Sequence, residues 1–219
     1  EGIAVFMTHT AATAEQTRRA IDAGARHATH FYCVFPPPDA TEPGVRPVGA
    51  VEAILADPRC SVDFICDGVH TDPVAIRAAL AAKGPERMVA ITDANVGAGL
   101  APGRYDTPFG FPIRVAAGDA ARIDEPAHPF YGGLAGSTLT MDRAVAHLLQ
   151  WLDLAPEHVW AMATCNPARV VGLENKGIIR IGADADLVLW DAAVDGPRAA
   201  QTWVGGQCVY ESTPEERTT

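Results

Sequence analysis

Residues 62–93 read VDFICDGVHTDPVAIRAALAAKGPERMVAITD, and this stretch decides the fold. An apolar run from Val62 to Cys66 ends at Asp67-Gly68-Val69-His70. Asp72 then serves as a helix N-cap, with Pro73 at the first helical position and Gly84 as the stop, and a second apolar run, Met88–Ile91, ends at Thr92-Asp93. Near-continuous apolar strands suit a sheet covered on both faces. Strand, helix, strand, with polar residues gathered at the strand ends, is the grammar of a parallel α/β sheet whose chemistry sits at the C-terminal ends of its strands.

The grammar extends upstream. Ile3–Met7 is a strand-length run ending at Thr8-His9, and Ala28–Tyr32 is another with His30 inside it. Thr13 with Gln16 forms a capping box for a helix that stops at Gly24, and Val48–Ala56 suits a second helix. Four strand–helix units are expected, whereas a closed (β/α)₈ barrel takes eight strands and about 250 residues. The expectation is therefore half a barrel, with the remainder on another chain or absent. The apolar run begins two residues after Glu1, as though the chain were entered inside a domain, so preceding sequence is expected.

Downstream, residues 94–133 are rich in Gly and Pro with short β-like runs such as Phe111–Val115, and read as an elaborated loop above the site. Met141–Leu152 has helical spacing with Ala144, Val145, Leu148 and Leu152 on one face; Pro156 opens a helix to about Thr164, where Asn166-Pro167 is expected to interrupt it. Met141, Trp151, Trp160 and Met162 are expected in the core. From Gly177 the pattern changes to short β-runs, Ile178–Ile181, Leu187–Trp190 and Thr202–Val204, the last turning through Gly205-Gly206 into Gln207–Tyr210. A frayed end is expected from Thr213.

Composition narrows the partners. The 219 residues carry a formal charge of −10 with no Lys/Arg run, which offers a polyanion nothing to condense on, so nucleic acid is not an expected partner. No stretch approaches the roughly 18 apolar residues of a membrane span, and no basic leader precedes an apolar segment. The five cysteines are odd in number, widely spaced and without a CxxC pair, which argues against a disulfide framework or thiolate zinc site and for a reducing, cytoplasmic compartment.

His9, His30, His70 and Asp93 all fall at expected strand ends. Neutral imidazole binds Zn²⁺ or Fe²⁺, and a carboxylate beside a metal-activated water can take its proton and return it to a leaving amine. Singly, each such residue is more often structural; four on successive strand tips of one sheet reverse those odds. His27 reads as a support for His30 or as surface, and His128, His147 and His158 as solvated.

The runs THTAAT (8–13), ATHFY (28–32), DGVH (67–70), ITDA (91–94), LAGSTLTM (134–141), NPAR (166–169), KGII (176–179) and ADLV (185–188) resemble, in order, the motifs of N-acetylglucosamine-6-phosphate deacetylases of the amidohydrolase superfamily. The resemblance runs from about Phe6 to Tyr210. It implies the C-terminal half of a TIM barrel over residues 1–172 (strands 5–8), then part of a small β-rich domain over 173–219. It further implies that His9 and His30 bind a divalent metal, Zn²⁺ or Fe²⁺, with a glutamate from an earlier strand that has no counterpart here. Asp93 is then the proton-transfer residue, His70 meets the sugar phosphate, and the backbone at Leu134, Ala135 and Gly136 lines the substrate, an N-acetyl amino sugar cleaved to amine and acetate. A homodimer, or association with the missing half, is expected.

Two departures stand beside the matches. An Asn-Ala pair that holds substrate in the family is Cys33-Val34 here, and a phosphate-binding arginine before Glu-Pro-Gly is Thr41. A hydroxyl does not replace a bidentate guanidinium toward phosphate; Arg46 is the nearby cation that could. The competing expectations are a catalytically incomplete fragment serving as a structural or binding module, and another amidohydrolase such as a dihydroorotase-like enzyme, against which LAGS and DGVH weigh.

Overall fold

The computed structural model describes residues 2–193 and 196–213. Its centre is a four-stranded sheet of β1 (Phe6–Met7), β2 (His27–Ala28), β3 (Ser61–Ile65) and β4 (Met88–Ile91), all parallel and in chain order. Helices α1 (Ala14–Asp22), α2 (Ala50–Ala56) and α3 (Pro73–Lys83) fill the three connections. Local chemistry accounts for their starts: Thr13 and Gln16 close a reciprocal capping box, and Asp72 accepts from the Val74 N–H with Pro73 behind it.

Alternation along β3 separates two buried faces. Val62 and Phe64 enter one core with Ile21, Phe31, Ile54, Ile76, Met88 and Leu148, whereas Asp63 and Ile65 are buried on the opposite face. Each large side chain in that core contributes about 1.5–3 kcal/mol by leaving water. The α/β class is as expected.

β2 is shorter than expected, because His30 takes a left-handed backbone (φ 34°) that ends the extended run and places it in the turn beyond the strand. Beyond β4 lies a three-stranded antiparallel sheet of β5 (Gly103–Tyr105), β6 (Ile113–Val115) and β7 (Arg122–Ile123) with its own small core of Ile113, Val115 and Ala121.

The chain then runs through α4 (Met141–Trp151), α5 (Pro156–Ala163) and α6 (Cys165–Val170). Ala144, Val145, Leu148 and Leu152 share the buried face, as expected, but Met141 at the start of α4 is exposed, lying before the buried face begins. The helix opened by Pro156 breaks at Thr164 as expected, and α6 restarts at Cys165 with Asn166-Pro167 in its first turn, where proline's missing N–H goes unneeded; Asn166 Nδ2 donates to Pro85 O and Met88 O. The last sheet, in the order β10-β9-β8, comprises β8 (Leu187–Ala193), β9 (Gly196–Val204) and β10 (Gln207–Glu211). Gly205 and Gly206 take φ of 56° and 80°, the two positive angles of a tight hairpin turn. Ile178–Ile181 is not a strand: it pairs with none among the described residues, and Ile179 and Ile181 stand in solvent. The end expected to fray lies, beyond Thr213, outside the described residues.

Candidate active site

His9, His30 and Asp93 follow β1, β2 and β4, and all three take left-handed backbone, with φ of 44°, 34° and 46°. That conformation is costly for residues with a Cβ and persists where the surroundings enforce it. For His30 the enforcement is visible. Asp63, buried on β3, accepts the His30 N–H and the Thr29 hydroxyl on Oδ1, while His27 Nε2 meets its Oδ2 at 2.8 Å. The Ser61 hydroxyl lies 2.7 Å from His27 Nδ1, so a buried polar chain runs from the start of β3 to the turn that carries His30. His27, 1% exposed, is thus a support for the turn that carries His30, the first of its two sequence readings, and not a surface residue.

The His9 and His30 rings lie 4.6 Å apart between centroids, within the spacing that one shared metal ion requires. Thr8 Oγ1 is 3.2 Å from His30 Nε2, and among the described residues the buried His30 Nδ1 has no hydrogen-bond partner. An orphaned imidazole nitrogen beside a second imidazole fits a cation ligand set. Among the described residues no group of three or more His, Cys, Asp and Glu side chains surrounds a common point, so these donors form an incomplete set.

His70 is held by Asp67 in the turn after β3. Its Nδ1–H donates to Asp67 Oδ2 at 2.7 Å, while Asp67 Oδ1 accepts the Val69 and His70 backbone N–H groups, both at 2.9 Å. Burial pushes the Asp67 carboxyl up, but the His70 side chain and these two N–H donors outweigh it and hold it below the usual range. An ionised Asp67 accepts the Nδ1–H and so fixes the tautomer of His70, whose side chain is 7% exposed.

The loop 134–137 docks on Asp93. Ser137 N donates to Asp93 O at 2.8 Å, the Ser137 hydroxyl donates to Thr92 O, and Asn95 binds Ser137 O and Ala135 O through its N–H and Nδ2. Gly136 (φ 71°) comes so close that a Cβ would lie 2.7 Å from Asp93 O. Ala135 N reaches Ala121 O, tying this loop to β7. Among the described residues nothing hydrogen-bonds the Asp93 carboxyl, which is exposed.

The remaining sequence candidates lie near the turn after β2. Cys33 Sγ is 3.9 Å from His70 O and 3.8 Å from Thr71 Oγ1, with burial pushing its thiol pKa up. Val34 is exposed at φ 55°. Thr41 is exposed, and Arg46 pairs with Glu52 at 2.7 Å, leaving its side chain 82% exposed. Sequence reasoning missed Asp63, Asn95 and Ser137; the one signal was an acid inside the apolar run of β3. It also took His147 for solvated, whereas its Nδ1 meets Cys66 O at 2.7 Å and its ring stacks on Trp151.

An amidohydrolase family model matches residues 112–210. The N-acetylglucosamine-6-phosphate deacetylase of Vibrio furnissii is 34% identical over 217 residues, 99% of this chain and 50% of that protein. The N-acetylgalactosamine-6-phosphate deacetylase of Escherichia coli O157:H7 is 35% identical over 94% of this chain and 51% of its own length. The crystal structure of N-acetyl-D-glucosamine-6-phosphate deacetylase from Mycobacterium smegmatis superposes with a TM-score of 0.78 at 33% identity, covering 94% of this chain and 52% of that one. The corresponding Thermotoga maritima enzyme gives 0.82 at 26%, covering 96% and 54%. The chain spans about half the length of the curated relatives it matches, and the resemblance read from its motifs is borne out.

Proposed function

We propose that this chain, similar along nearly all its length to deacetylases of N-acetylated amino sugar phosphates, carries the C-terminal part of such an enzyme's active site. The observation that carries the reading is the pairing of the His9 and His30 rings at 4.6 Å on neighbouring strand ends. In this reading the two imidazoles hold a divalent metal, zinc or ferrous iron, whose third protein donor comes from the rest of the protein. When bound, the metal polarises the amide carbonyl and makes water acidic enough to deprotonate near neutral pH.

The chain's own groups do the rest. Asp93, with its carboxyl unencumbered, takes a proton from the attacking water and delivers it to the amide nitrogen as the C–N bond breaks, giving acetate and free amine. His70, held by Asp67, presents Nε2 to the sugar's phosphate. The backbone of Leu134–Gly136, pinned to Asp93 and Asn95, lines the sugar, and Cys33, Val34, Thr41 and Arg46 border it. We extend the reading to the chain's organisation: half a barrel over 1–172 and part of a small β-rich domain over 173–219, in a cytoplasmic enzyme that is a homodimer or is completed by its other half.

The test is acetate release by the parent protein. Asp93→Asn should lower turnover by at least about 10²-fold, the lower bound of what a positioned proton-transfer group supplies, with metal content unchanged. His9→Ala and His30→Ala should lose the metal. Comparable turnover by Asp93→Asn rejects the assignment. The incomplete donor set favours a second reading, in which the chain alone is a binding or structural module; turnover by the isolated chain would reject that one.

A further inference from the structure

At the strand ends opposite His9, His30 and Asp93 lies a cleft of about 550 Å³ whose lining includes Arg26, Arg59, Ser61, Glu86, Arg87 and Arg169. These residues come from different places. Arg26 precedes β2, Arg59 and Ser61 open β3, Arg87 precedes β4, and Arg169 lies on α6. No two are close enough in sequence to form a basic run, so the linear reading of a chain without a cationic patch is corrected by the fold.

The charges in this cleft are unevenly matched. Arg59 is held by Asp57 and Asp22 at 2.7 and 2.9 Å. Among the described residues, Arg26, Arg87 and Arg169 make no ion pair, although Arg19, Arg46, Arg104 and Arg122 each sit on a carboxylate. Arg26 Nη1 donates to Ile21 O and Ala25 O, and Arg169 Nη1 to Glu86 O; among the described residues the rest of each guanidinium is unbonded. Among the described residues the side chain of Arg87 has no hydrogen-bond partner. The single acid in the lining, Glu86, lies over Gly84. Behind the cleft the buried Lys83 ammonium donates to Ile54 O and Asp57 O, and its pKa is lowered by burial and further by Arg87. Three unpaired guanidiniums beside a buried ammonium, in a chain of net charge −10, make a local positive field that a bound anion relieves. Anchoring through Nη1 orients two of the forks in advance, which reduces the ordering cost of binding.

We propose that this cleft binds a small, multiply charged oxyanion, a phosphate or carboxylate compound, held by Arg26, Arg87 and Arg169. Its volume is that of a small-molecule site. Among the described residues no aromatic ring lines it, so it lacks the stacking platform that single-stranded nucleic acid uses. The site stands apart from the proposed deacetylase chemistry and does not depend on it.

Titration calorimetry on the 219-residue chain at constant ionic strength tests this, with pyrophosphate and citrate as probes of the two sources. One of them should bind saturably at one per chain, and the tighter identifies the chemistry. Arg87→Gln and Arg169→Gln should each weaken that binding by about ten-fold or more, the effect of one charge-assisted contact. Arg104→Gln, on β5 in the separate antiparallel sheet, should leave it unchanged. Binding of both probes weaker than about 1 mM overturns the proposal, as does equal weakening by Arg104→Gln or indifference to both cleft variants. Arg87, having no partner to lose, provides a variant that folds if Arg169→Gln does not.

Discussion

Gly136 shows how closely the site's backbone is assembled. Its positive φ excludes most side chains, and a Cβ would meet Asp93 O at 2.7 Å, so Gly136→Ala has to push the 134–137 loop off the turn that carries Asp93. A left-handed alanine alone costs roughly 1–2 kcal/mol, and the displaced Ser137 N–H bond adds about 1. Urea unfolding should therefore show a loss of about 2–3 kcal/mol, and a variant as stable as the parent would mean that the loop is not docked as described. At this scale the sequence was readable where a residue's chemistry is conspicuous: His9, His30, His70 and Asp93 stood out as polar groups closing apolar runs. It was unreadable where the partner lies far along the chain. Asp63 looks like an irregularity in a hydrophobic strand until His27 and His30 fold against it, and His147 looks solvated until α4 brings it to Cys66.

Elements were legible in proportion to their local signals. α1 and α3 carry their own caps and stops, and both form as read. β2 ended early and Ile178–Ile181 stayed irregular, because a strand exists only by pairing, which composition does not report. α2 ends at Asp57, whose carboxyl is held at about 2, against a usual 3.8, chiefly by hydrogen bonds from the Arg59 side chain. Because the folded value lies below the unfolded one, the resulting stability is fully present above about pH 4 and is lost as pH falls toward 2. The melting temperature should drop across that window, and Asp57→Asn should show a smaller drop there. An unchanged pH profile in that variant would remove Asp57 from the acid transition.

Over the whole molecule, the ordered motifs made the family legible, while phosphate selectivity had to be reasoned from departures. Thr41 stands where the resemblance expects an arginine, and Arg46 is paired with Glu52. Loss of one charge-assisted contact, worth about 1.5–3 kcal/mol, should cut the preference for a phosphorylated over an unphosphorylated N-acetyl sugar by about ten- to a hundred-fold. In the parent enzyme, kcat/KM for N-acetylglucosamine and its 6-phosphate should differ only modestly. A preference above about a thousand-fold that survives Arg46→Ala would show the inference from Thr41 to be wrong. The chain-order sheet bears on how such a molecule forms. Parallel pairing usually has to wait for distant segments to meet, and closing long loops before any contact rewards them makes such sheets slow. Here every strand pairs with its immediate successor, so each closure spans a single helix and the next begins from an edge already made. Assembly can thus advance in step with emergence from a ribosome, each new strand finding its template already folded.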